Sequence, residues 1–151
     1  MNLLRLVAAV TILAGCGILD SSSRDSSPLS FSIMGGSYFD PPEVHHIALI
    51  VQTRTQYPCM NYQLESTLGI ARNSLRVDVS GRVLKPDICL TALGPAQYRA
   101  ALPLDDGTYS LEFRRGGLTD RYTVTVTTSA IEIATLESHF THPAADRFPR
   151  D

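Results

Sequence analysis

Four stretches of this chain alternate apolar and polar side chains with a period of two, the spacing that puts every second residue on one face of a strand. Leu75, Val77 and Val79 alternate with Arg76, Asp78 and Ser80 and stop at Gly81. Tyr98, Ala100 and Leu102 alternate with Gln97, Arg99 and Ala101; Tyr109, Leu111 and Phe113 alternate with Ser110, Glu112 and Arg114. Tyr122, Val124 and Val126 do the same against Thr123, Thr125 and Thr127. Residues 114–121, with Gly116 and Gly117 among them, predict a hairpin loop between the last two runs. Ile47, Ala48, Leu49, Ile50 and Val51 are apolar on both faces, which predicts a central strand. Segments 31–34, 62–68, 88–91 and 130–136 complete the set, and sustained helical periodicity is missing. The expectation is an all-β domain, an antiparallel β-sandwich of about 7–8 strands, over residues 29–138.

One local pattern sharpens that expectation. In "LPLDDGTYSLEF", the order Asp105, Gly107, Tyr109 resembles the D-x-G-x-Y tyrosine corner of immunoglobulin-like and fibronectin-like sandwiches. The resemblance implies that Tyr109 opens a late strand and that its hydroxyl bonds back to the backbone of the preceding corner. It carries over the sandwich architecture only. Leu111 stands where antibody domains place their second inter-sheet cysteine, and the chain has no tryptophan.

The first fifteen residues read as a leader: a short initial region carrying the positive charge of Arg5, an apolar run over 6–13, then Ala14 and Gly15. The run is too short to span a bilayer, which takes about 20 helical residues. Leu13-Ala14-Gly15-Cys16 resembles the lipobox of bacterial lipoproteins. That resemblance implies cleavage before Cys16 and acylation of Cys16, with membrane lipid as a partner. Two or three acyl chains meet the requirement for stable anchoring, which one chain does not. Residues 16–28 are rich in serine and predict a flexible tether that holds the domain off the headgroups. Gly17 follows the cysteine where inner-membrane lipoproteins usually carry Asp, so an outer membrane is favoured if the host has two.

With Cys16 assigned to lipid, Cys59 and Cys89 remain as an even pair in an oxidising compartment, and a disulfide between them is expected. A net charge of −2 and the lack of any basic run argue against nucleic acid as a partner.

Chemistry has little to stand on in this sequence. His45 and His46 are adjacent on the approach to a strand, so they point to opposite faces; His139 and His142 converge only if they share a helical turn. A metal or small-ligand site would need one histidine from each pair, with Glu137 or Asp40; no cofactor is expected. The chain has no G-x-S-x-G, and its serines cluster in the tether, so it is read as a non-enzyme. Residues 40–43, Asp-Pro-Pro-Glu, form a stiff lead-in to the central strand. Residues 139–151 lose the alternation and predict an irregular tail outside the core. The sequence therefore points to a membrane-anchored, non-catalytic module of the bacterial cell envelope that binds an envelope protein. Arg114, Arg115 and Leu118 at the hairpin tip are its candidate contacts.

Overall fold

The computed structural model describes residues 22–35 and 47–150, and these are strand and loop without helix. The strands are β1 (Ser22–Arg24), β2 (Leu29–Gly35), β3 (Ile47–Tyr57), β4 (Gln63–Ala71), β5 (Ser74–Leu84) and β6 (Gly94–Leu102). They continue with β7 (Gly107–Arg115), β8 (Leu118–Val126), β9 (Ala130–Glu137), β10 (Thr141–Pro143) and β11 (Arg147–Pro149). The alternating runs behave as expected: Leu75, Val77, Leu111, Phe113, Tyr122 and Val124 are all buried while their polar neighbours face outward.

Hydrogen bonding joins the strands into one sheet in the order β10-β2-β3-β6-β4-β5-β7-β8-β9-β11, with β1 added beside β5. The sheet curls into a half-barrel. It is mixed rather than purely antiparallel, because β10 runs parallel to β2, β4 to β6 and β5 to β7. Chain path explains this. β6 leaves the neighbourhood of β5 to pair with β3, so β5 and β7 become neighbours two chain reversals apart and must run the same way.

A single cluster of buried side chains fills the curl. Phe31 of β2 lies 4.8 Å from Phe113 of β7 and 4.9 Å from Tyr122 of β8, ring centre to ring centre. Side chains from the β2 side of the sheet thus close directly over those from the β7–β8 side. Such tilted and edge-on contacts suit the ring quadrupoles.

Two segments expected to lie outside the domain belong to it. Ser22, Ser23 and Arg24 pair with Leu84, Val83 and Arg82 of β5, so this part of the segment expected as a flexible tether is a strand. The serines hold no core of their own, but an open stretch of β5 supplies their backbone partners. Gly81, at φ 77°, marks where β5 exchanges β7 for β1 as its neighbour. Likewise, the irregular tail expected from residue 139 forms β10 and β11 and buries Phe140 and Phe148. These short strands bridge the sheet's two ends, β10 on β2 and β11 on β9, with further bonds from Ala144 N–H to the Phe31 carbonyl and from Ile133 N–H to the Asp146 carbonyl. A Cβ placed on Gly35 would come within 3.1 Å of the Arg150 backbone, so this closure leaves little room for a side chain there.

The turn between β7 and β8 is tighter than expected, with only Gly116 and Gly117 between the strands, at φ 55° and 87°. Positive φ at both positions matches the twist of the flanking strands. At the other end of β7 the Tyr109 hydroxyl donates to the Asp105 carbonyl at 3.1 Å. Removing this bond with Tyr109→Phe should cost about 0.5–1.5 kcal/mol in urea denaturation, the usual net value of one hydrogen bond.

Candidate interaction surface

Register places one rim of the half-barrel unambiguously. Tyr57 at the end of β3 is opposite Gly94 at the start of β6, and Gln63 at the start of β4 is opposite Leu84 at the end of β5. Ser22, where β1 begins, is also opposite Leu84. The β3–β4 and β5–β6 connections therefore lie side by side, and Cys59 in one is bonded to Cys89 in the other.

Further bonds hold the two connections together. The Asn61 side chain donates to the Ile88 carbonyl and accepts from the Leu90 N–H, at 2.7 and 3.1 Å, while Met60 N–H donates to the Leu90 carbonyl. Gly94 is required here, since a Cβ would lie 2.8 Å from the Met60 backbone. Segment 88–91, expected as a strand, is instead this clamped loop. Its apolar side chains point outward. Ile88 is 78% exposed and Leu93 76%, with Met60 and Leu90 each 51% exposed. Beside them a groove of about 640 Å³ has a mixed lining, with Met60, Tyr62, Leu90 and Tyr98 alongside polar residues that include Glu65 and Arg99. Sequence reading missed this surface because an apolar residue in a short run gives no sign of which side of the fold it faces.

Across the rim, residues 25–28 cross from β1 to β2 under three constraints. The Tyr57 hydroxyl donates to one Asp25 carboxylate oxygen at 2.9 Å and the Ser27 N–H to the other at 2.7 Å. Burial alone would raise the Asp25 pKa, but these bonds outweigh it and the carboxyl sits below its ordinary value. The same burial and the Asp25 charge push Tyr57 up to about 12. Arg115 supplies the third constraint, donating to the carbonyls of Ser27 and Ser26 at 2.9 and 3.2 Å with its guanidinium 4.5 Å above the Phe140 ring.

Among the expected contact residues, Arg115 thus holds the fold together. Arg114 is engaged with Glu112 along its own strand, and Leu118 is exposed beside a second groove of about 640 Å³ against residues 65–67 and 78–80. Cys16, Asp40, His45 and His46 lie outside the described residues. His139 sits in a turn and His142 on β10, so they do not share a helical turn; the His139 ring instead meets Glu137 at 2.9 Å. Among the described residues no group of three histidine, cysteine or acidic side chains is placed to hold a metal ion.

The sequence reading also passed over Asp120. Its carboxylate is fully buried and accepts from the backbone N–H groups of His139, Phe140 and Thr141 and from the Thr141 hydroxyl, at 2.6–3.0 Å. Burial would raise its pKa; the four donors overcome that and hold it below the ordinary carboxylate value. Tyr122 completes the network by donating to the Thr141 carbonyl at 2.7 Å. Asp120 is in phase with Tyr122, Val124 and Val126, and that was the available signal.

Compared with known proteins, the chain matches no family model, no curated protein and no solved structure.

Proposed function

We propose that this chain is a lipid-anchored, non-catalytic module of the bacterial cell envelope that works by binding. The observation that carries the reading is Leu13-Ala14-Gly15-Cys16 after a short apolar run. The acyl chains on Cys16 hold it to a membrane, the outer one where the host has two. The Cys59–Cys89 disulfide supports an oxidising compartment, where such bonds persist. Two sheet halves facing each other across Phe31, Phe113 and Tyr122, with the Tyr109 to Asp105 bond at a corner, support an immunoglobulin-like sandwich as the finer description. On this reading the partner is another envelope protein, and the exposed rim and the β7–β8 hairpin tip with Arg114 and Leu118 are the surfaces offered to it.

The decisive test is Cys16→Ser in the native host. Labelled palmitate should no longer be incorporated, and the protein should leave the membrane fraction or accumulate as unprocessed precursor. Wild-type protein that takes up no label, or a variant with an unaltered membrane profile, would refute the anchor.

A further inference from the structure

We infer that the disulfide-clamped loop is a bilayer-contacting surface, its Ile88, Leu90 and Leu93 and the neighbouring Met60 inserting into the membrane that holds Cys16. This rests on the lipid-anchor reading and goes beyond it, by stating how the domain stands on the lipid.

The direction of the chain carries the argument. β1 is antiparallel to β5 and begins opposite Leu84, so Ser22, where the described chain starts, lies at the rim where β5 runs into the loop 85–93. Cys16 precedes Ser22 by only six residues, and six residues span at most about 20 Å. The rim cannot stand farther than that from the acylated residue. Ile70, opposite Leu75 near the other end of β5, is about 30 Å farther away along the strand. Of the two ends of the sheet, the one held near the membrane is therefore the one that exposes Ile88 and Leu93.

The loop is also built to meet an apolar medium. Asn61 satisfies the Ile88 carbonyl and the Leu90 N–H, Met60 N–H satisfies the Leu90 carbonyl, and the disulfide fixes the backbone, so large apolar side chains project from a rigid base. Ile18 and Leu19 continue the apolar character just after Cys16. Lys85 and Asp87 cancel in charge, so contact with lipid is apolar and does not depend on anionic headgroups.

Because the chain has no tryptophan, a single introduced one reports its own surroundings. The full, acylated chain would be reconstituted into vesicles of phosphatidylethanolamine and phosphatidylglycerol, with and without brominated acyl chains, carrying Ile88→Trp, Leu93→Trp or, as a distal control, Ile70→Trp. Trp fluorescence at 88 and 93 should be quenched by roughly half or more, as for side chains about 5–10 Å into the headgroup and acyl boundary, and should resist added salt. The control should stay unquenched. Acylated protein that floats with the vesicles while both rim positions remain unquenched overturns the docking and leaves the anchor standing. Blue-shifted emission without quenching, meaning burial against a second copy or another protein, overturns it too. Protein whose mass lacks acyl chains and which does not float removes the anchor reading, and this inference with it. An Ile88→Asp, Leu93→Asp variant, altered only at exposed positions, should keep the fold and lose rim contact, raising the proteolytic accessibility of the loop in vesicles.

Discussion

Asp120→Ala should destabilise the protein by roughly 3–5 kcal/mol at pH 7, as several buried donors lose their acceptor together. The three backbone N–H groups at residues 139–141 and the Thr141 hydroxyl would all lose their acceptor, those of Phe140 and Thr141 at a position closed to water. Each orphaned buried donor costs on the order of 1–3 kcal/mol before relaxation. Asp120→Asn should recover part of the loss, because the amide oxygen can take the place of Oδ2 and accept from the Phe140 and Thr141 N–H groups and the Thr141 hydroxyl, leaving only the His139 N–H opposite the amide nitrogen. The pH dependence has a definite sign. Since the carboxyl lies below its ordinary value of 3.8 in the fold, it contributes stability above that value and loses it as pH falls through the folded pKa. The gap between wild type and Asp120→Ala, measured by urea denaturation, should therefore be widest at neutral pH and shrink in acid. Asp25 titrates in the same direction, but it is common to both proteins and drops out of the difference. A gap that stays constant from neutral pH to well below pH 3.8 would show that the charge of Asp120 contributes nothing.

The second large effect is expected from Cys59→Ser combined with Cys89→Ser. Joining cysteines 30 residues apart removes loop-closure entropy from the unfolded chain equivalent to about 3–4 kcal/mol. The double variant avoids a free thiol that could pair elsewhere. Denaturation midpoints should fall by the corresponding amount, while on the proposed lipid anchor, attachment through the untouched Cys16 should be unchanged. A loss below about 1 kcal/mol would mean that Asn61 and the Met60 to Leu90 bond already fix the loop and that the reduced unfolded chain is itself compact.

The strands that were legible in the sequence are those whose alternation is local. Leu75, Val77 and Val79 need only their own neighbours to declare a buried face, and all three are buried. Segment 88–91 misleads because Ile88 and Leu90 have strand spacing while disulfide and Asn61 fix them in a loop. Phe140 and Phe148 carry no periodic signal at all; their burial depends on β2 and β9, far away in the chain. The same holds for the serines of β1, whose partner β5 lies some sixty residues on. The disulfide followed from counting cysteines. The apolar rim required knowing which strand ends coincide, and only register supplies that.

Closure of the sheet by β10 and β11 also sets a timetable. A chain made from its amino end presents every other strand before residues 141–149 exist, and until then the two ends of the sheet meet through packing such as Phe31 on Phe113 and Tyr122, without the backbone bonds of β10 and β11. The Asp120 pocket stays empty of donors for the same interval. The closed sheet and the filled Asp120 pocket are therefore both completed by the same late stretch of chain, residues 139–149.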